Sequence, residues 1–212
     1  RDTGALYSRS IAQGRALMSW RQWFQRRSSQ RARVRVLFVC TANVCRSPLA
    51  EALLRHQGQA YADQFELTVD SCGIQAGAAS LPPDPRARKV AQQAGVSLKG
   101  IKSRKLEIRD YYDFDLILAM DKGHLQVLKD NCPEDSLADI QLLGCYRHST
   151  PVALVEGQLP ASGAGEKRQR EQDEIPDPYY GNQKSFHRVF ELLQPAVAAV
   201  LTELSQSTNM SQ

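Results

Sequence analysis

Eight consecutive residues, Cys40-Thr41-Ala42-Asn43-Val44-Cys45-Arg46-Ser47, bring a thiol, a short loop and a guanidinium together within one turn of backbone. Phosphoryl transfer is the chemistry that such a set suits. A sulfur at one end attacks phosphorus, and the amides of Thr41, Ala42, Asn43, Val44, Cys45 and Arg46 curl around the equatorial oxygens. Arg46 adds a two-pronged, permanently charged contact that lysine cannot reproduce.

Such groups work only if flanking elements aim them. Upstream, Val34 to Val39 is rich in β-branched and aromatic residues and predicts a buried strand. Downstream, Leu49 to Leu54 predicts a helix, with Ser47 placed to cap it and Pro48 at its first position. The loop then lies at a helix N-terminus, where unpaired N–H groups and the positive end of the dipole attract anions. A free thiol titrates at about 8.5 and falls in such a field, so Cys40 is expected as a thiolate at neutral pH. Ser47 can donate to the sulfur or to the loop, and Asn43 tolerates a left-handed backbone in a tight curl.

Two plainer readings compete. Cys40 could be a small buried apolar residue, and Cys40 with Cys45 could form half a zinc site. Zinc needs a second close pair, whereas Cys72, Cys132 and Cys145 are single and distant, so neither a metal nor a cofactor is expected.

Beyond the loop, the segments Val36-Leu37-Phe38-Val39-Cys40, Cys45-Arg46-Ser47-Pro48 and Ala50-Glu51 resemble the low-molecular-weight protein tyrosine phosphatases. Asp177-Pro178-Tyr179-Tyr180-Gly181 resembles that family's general-acid loop. Three further segments match in the family's order, namely Val69 to Gly73, Pro82 to Arg86 and Asp115 to Asp121. The resemblance runs from about Val34 to about Leu204. It implies hydrolysis of phosphotyrosine and small aryl phosphates through a cysteinyl-phosphate, with phosphotyrosine-containing proteins as partners. Catalytic roles then fall on Cys40, Arg46 and Asp177, the last protonating the leaving phenolate and afterwards activating water. Alone, an Asp before Pro in a polar loop is an ordinary turn residue. Tyr179 and Tyr180 are implied to line the substrate entrance, where a ring can stack on the substrate's.

Strand and helix predictions alternate along the chain. After the first pair come a strand near Glu66 to Asp70, a helix from about Asp84 to Ala94, a strand from Leu116 to Met120 and a helix from Asp121 through Leu128. A short strand near Ile140 to Leu143 and a final helix from about Lys184 to Leu204 follow. This order implies an α/β fold: a single-domain three-layer sandwich on a four-stranded parallel sheet, doubly wound and flavodoxin-like, with ligand at the carboxyl ends of the strands. In the final helix, Phe186, Val189, Phe190, Leu193 and Val197 recur at helical spacing, and Pro195 should kink or split it. His56, His124 and His187 have no neighbouring ligand set and read as structural or solvated.

The sequence has 212 residues and a formal net charge of +4, which suits one domain with extensions and argues weakly against nucleic-acid binding. No stretch approaches the apolar length that spans a bilayer. Five cysteines, an odd number that includes a required thiolate, point to a reducing, cytoplasmic setting. The domain reading is a basic N-terminal extension over residues 1–33, a phosphatase domain over 34–206 and a tail over 207–212. The extension carries eight arginines against one acid, Asp2, which suits an organelle transit peptide, weak contact with a membrane surface through Trp20, Trp23 and Phe24, or a disordered tail. Residues 147–174 read as a flexible insertion ahead of Asp177 that modulates access to the site.

Substrate preference is legible in part. Val44 stands where relatives resembling arginine phosphatases carry Thr, which favours the tyrosine branch, while Gly77 or Ala78 stands where eukaryotic relatives place an aromatic wall. Two alternatives remain, an arsenate reductase of the same fold and a phosphate-binding module without turnover. The first needs two further closely spaced cysteines, absent between Cys72 and Cys132, and the second would lack the nucleophile or the acid. Cys45 is either a small packing residue or a partner that traps oxidised Cys40 as a disulfide.

Overall fold

The computed structural model describes residues 32–148 and 173–209. The Arg-rich segment before β1, residues 149–172 of the insertion and the last three residues lie outside the described residues, as do the readings attached to them.

The first strand, β1 (Ala32–Cys40), is followed by α1 (Arg46–Gly58), β2 (Phe65–Gly73), α2 (Pro85–Gln93) and the short α3 (Asp110–Asp113). Then come β3 (Leu116–Ala119), α4 (Lys122–Asp130), β4 (Asp139–Leu142) and α5 (Gln183–Asn209). All strands pair in parallel, in the order β2-β1-β3-β4. Successive connections from β1 therefore run to opposite sides of it, which opens a crevice at the carboxyl end of β1. Cys40, the last residue of β1, stands at that crevice.

Both faces of β1 are covered, which is why its sequence is nearly continuously apolar. Val34, Val36 and Phe38 pack with Leu49 and Leu53 of α1 and with Phe186, Val189 and Leu193 of α5. The alternate residues Leu37 and Val39 pack with Tyr111, Ile117, Leu128 and Leu142 on the other face. This period of two divides the core into two layers around one sheet, the three-layer sandwich expected.

Three local expectations need correction. Cys45 occupies the N-cap position of α1 without a side-chain cap, so Pro48 is its third residue and Ser47 does not cap it. The hydroxyl of Ser47 is drawn instead into a buried network. Asp121 precedes α4 and caps it, its carboxylate accepting from the amide of His124. The helix α5 continues through Pro195 to Asn209, past the expected tail boundary at 207. Pro195 and Glu191 both face solvent, so the carbonyl that Pro195 cannot satisfy is open to water, and the buried stripe on the opposite side holds the helix together.

Candidate active site

The loop between β1 and α1 is held from outside. Its carbonyls at Cys40, Thr41 and Val44 accept from the amides of Ile74 (3.0 Å), Gln75 (2.8 Å) and Asp84 (2.8 Å). In a trans peptide the next N–H points opposite to the carbonyl, so these bonds turn the amides of Thr41, Ala42 and Cys45 away from the supporting segments. Asn43 takes φ 56°, the left-handed turn expected of it. Gly73 makes the curl possible, since a Cβ there would lie 2.6 Å from the carbonyl oxygen of Thr41 and 2.9 Å from the amide nitrogen of Asn43.

Behind the loop lies a polar network centred on the buried Asn43, Ser47, Ser71 and Glu51. Nδ2 of Asn43 donates to the hydroxyls of Ser47 (3.0 Å) and Ser71 (2.8 Å), and its Oδ1 accepts from the amide of Arg104 (2.9 Å). Ser71 donates to the carboxylate of Glu51, which pairs with Arg55 at 2.6 Å. Burial pushes the Glu51 carboxyl up, against the pull of Ser71 and Arg55. Ser47 Oγ lies 3.0 Å from Cys40 Sγ. Arg104 closes the back of the site, bridging Asp70 and Asp110 at 2.8 and 2.9 Å. A network satisfied at this many points fixes one loop geometry, because each member would be costly to strand in a dry interior.

In front, Cys40, Thr41, Ala42, Val44, Cys45 and Arg46 line one pocket of about 290 Å³ with Asp177, Tyr179 and Tyr180. All of the residues read from the sequence as a site are therefore assembled, with Asn43 and Ser47 as its buried support. Arg46 is 3% exposed and lies between two carboxylates, 2.8 Å from Asp121 and 2.7 Å from Asp177. It donates further to the carbonyl of Ile175 (3.2 Å) and to Thr41 Oγ1 (3.1 Å). The carboxylate of Asp177 accepts from the amide of Tyr179 at 3.1 Å, a turn that aims it at the pocket. Tyr179 and Tyr180 meet edge to face at 5.0 Å, the latter 96% exposed. Neither Gly77 nor Ala78 lines this pocket, so its aromatic lining comes from Tyr179 and Tyr180.

Two residues of this site escape a reading of the sequence. His124 is buried, not solvated, and its Nε2 lies 2.9 Å from Thr41 Oγ1. Its Nδ1 lies 2.8 Å from Asp121 Oδ1, close enough for electrostatic attraction but off the line of a ring N–H hydrogen bond. Arg46, Asp121, His124 and Thr41 thus form a closed ring around the guanidinium. Burial works against the Asp121 carboxylate, yet the contacts from His124 and Arg46 outweigh it and hold the group well below the usual carboxylate range. In the sequence Asp121 stands as a helix opener at the end of a segment that resembles the family, and His124 as an isolated histidine.

Cys45 shares the loop with Cys40 but differs in chemistry, since burial, reinforced by Asp84, pushes its thiol up to about 12. Among the described residues, no group of three or more His, Cys, Asp or Glu side chains could hold a metal ion. Nor is any described helix long and apolar enough to cross a membrane.

Comparison with known proteins agrees with this geometry. Residues 35–156 match the family described as low molecular weight phosphotyrosine protein phosphatase. A protein of that description from Schizosaccharomyces pombe is 33% identical over 72% of this chain and 85% of its own length. A crystal structure of a protein tyrosine phosphatase from Entamoeba histolytica superposes with a TM-score of 0.65 at 31% identity, over 82% of this chain and 97% of that one. A Drosophila arginine phosphatase superposes with a TM-score of 0.64 at 29% identity, over 80% of this chain and 96% of that one. The chain belongs to the low molecular weight phosphotyrosine protein phosphatase family, a family of hydrolases.

Proposed function

We propose that this protein hydrolyses phosphotyrosine in proteins, and small aryl phosphates, through a cysteinyl-phosphate on Cys40. The observation that carries the reading is the meeting of Cys40, Arg46 and Asp177 in one pocket, across 131 residues of sequence between the last two. The sulfur of Cys40 attacks phosphorus in line with the ester oxygen, forming the S–P bond as the P–O bond breaks. Loop amides and Arg46 hold the equatorial oxygens throughout. A phosphate dianion competes with Asp177 for the guanidinium, which frees that carboxyl to protonate the departing phenolate. As a carboxylate, Asp177 then takes a proton from water, whose oxygen attacks phosphorus and returns the sulfur of Cys40. Ser47, 3.0 Å from that sulfur, stabilises its negative charge as it leaves.

Val44 in the pocket and the tyrosine pair at its mouth favour an aromatic ester over a guanidino phosphate. With Tyr179 and Tyr180 as its only aromatic lining, the site grips the ring on one side and accepts small aryl phosphates as well. Cys40, Cys45, Cys72 and Cys132 are free thiols, which suits a reducing, cytoplasmic setting. The test is hydrolysis of phosphotyrosine and phosphoarginine peptides by the wild-type chain, Cys40→Ser and Asp177→Asn. Phosphotyrosine turnover that Cys40→Ser abolishes supports the reading. Full activity of Cys40→Ser, or faster release from phosphoarginine, overturns it.

A further inference from the structure

A cleft of about 860 Å³ lies apart from the catalytic pocket and shares no lining residue with it. Its floor is apolar and includes the buried Pro83, Leu98 and Ile101, while Arg88, Lys99 and Lys102 stand exposed around it. No carboxylate lines it, and among the described residues these three cations form no ion pair. Arg88 senses Asp84 one helical turn away, but that carboxylate is already bound by Arg86 at 2.8 Å. Exposed cations that are not neutralised by their own fold attract anions from outside it.

Both walls of the cleft run into the phosphate loop. One wall ends at Asp84, whose amide donates to the carbonyl of Val44 at 2.8 Å. The other ends at Arg104, whose amide donates to Asn43 at 2.9 Å. Between them, Ser103 and Leu81 bind each other twice, N–H of Ser103 to the Leu81 carbonyl at 2.8 Å and N–H of Leu81 to the Ser103 hydroxyl at 2.9 Å. Lys102 precedes Arg104 by two residues, at most about 7 Å of extended chain. The segments that wall the cleft therefore also hold the phosphate loop in place, so the cleft and the loop share their supports.

We infer that this cleft docks an acidic stretch of the substrate polypeptide, Asp or Glu residues a few positions from the phosphorylated residue. The inference rests on the phosphatase reading above and adds to it the class of substrate. Carboxylates pair with Arg88, Lys99 and Lys102 while an apolar side chain of the peptide covers the floor around Leu98. Interactions of this exposed kind act on encounter and KM, and salt weakens them.

The experiment compares a tyrosine phosphopeptide bearing flanking Asp and Glu with its Ala-substituted counterpart and with p-nitrophenyl phosphate, using wild type and the triple variant Arg88→Glu/Lys99→Glu/Lys102→Glu. The wild type is expected to prefer the acidic peptide by about tenfold in kcat/KM, and the triple variant to lose that preference. Hydrolysis of p-nitrophenyl phosphate should agree within about twofold between the two chains, because it does not reach the cleft. Equal rates on acidic and neutral peptides by the wild type, or a preference that survives charge reversal, overturns the inference. Fluorescence anisotropy of the labelled acidic phosphopeptide decides the point without turnover. If the wild type hydrolyses no aryl phosphate, the phosphatase reading fails, while equal binding to the wild-type and reversed chains still overturns the cleft. Binding of phosphatidylserine vesicles that charge reversal abolishes, with no peptide preference, would reassign the cleft to a lipid surface and overturn the proposal as well.

Discussion

The loop proposed to hold phosphate and the loop proposed to deliver the proton are built on opposite plans. Between Cys40 and Ser47 three carbonyls and the side chains of Thr41, Asn43 and Ser47 are bonded to partners outside the loop, and Asn43 and Ser47 are fully buried. Asp177 is 43% exposed at its side chain, and beside it Tyr179 and Tyr180 project into solvent. The difference follows from what each must do. A charge-stabilising cradle gains by being rigid before substrate arrives, since no reorganisation is then needed during reaction. A proton donor must instead meet leaving groups of different shapes, and the entrance around it can be tuned without disturbing the core.

Substitutions in the two loops should therefore differ in kind as well as size. The largest effect is expected at Arg46→Lys, which keeps a positive charge but loses the fork that contacts Asp121 and Asp177 and is proposed to hold the phosphate oxygens. Steady-state kinetics should show kcat on any aryl phosphate falling by about 1,000-fold, the scale of removing a preorganised charge-stabilising donor. A variant within tenfold of wild type would mean that the cradle needs only charge.

Next comes Asp177→Asn, expected to lower kcat/KM, which reports only formation of the cysteinyl-phosphate, by about 100-fold or more on phenyl phosphate. On p-nitrophenyl phosphate, whose phenolate leaves with little need of a proton, the loss should be clearly smaller. Equal losses on the two esters would remove Asp177 from the role of general acid.

A milder effect is expected from the ring around the guanidinium. Thr41→Val removes the hydroxyl that joins Arg46 to His124, at nearly constant volume. It should reduce kcat by about tenfold with KM little changed, as loss of one supporting hydrogen bond to a charged group predicts. Thr41→Ser should restore most of the activity, and His124→Leu combined with Thr41→Val should cost less than the sum of the two singles. Strict additivity would show that the ring does not act as a unit.

The smallest effect belongs to the entrance. Tyr180→Ala should raise KM for phosphotyrosine peptides by about threefold and leave kcat unchanged, since an exposed aromatic contact is worth under about 1 kcal/mol. A loss in kcat would mean that Tyr180 acts on the proton donor and not on substrate binding.

How far the sequence speaks for each region follows the same division. The phosphate loop was legible because its chemistry is contiguous: one strand, eight residues and one helix carry nucleophile, curl and cation. The doubly wound sheet was legible for a similar reason, as alternating apolar strands and amphipathic helices leave few topologies. Asp177 was legible only through family resemblance, because an Asp before Pro is an ordinary turn. Asp121, Ser71 and Glu51 fall in segments that resemble the family but, like His124, have no role legible in the sequence, since each becomes part of the site only when the fold brings distant segments together. Ser47 misled for a physical reason, as its hydroxyl has stronger partners in the buried network than the free amides of α1 could offer. Pro195 does not split α5, because the rule against helix-interior proline is weakest on a solvent-facing side.

The central claim is that Cys40 carries phosphate covalently during turnover. Rapid acid quench of the wild-type chain with p-nitrophenyl phosphate, followed by peptide mass spectrometry, tests it directly. The account predicts one phosphorylated peptide, containing Cys40, that is absent from Cys40→Ser and more abundant in any variant slowed at the water step. Turnover with no phosphorylated Cys40 peptide at any quench time, or phosphate found on another residue, would contradict it.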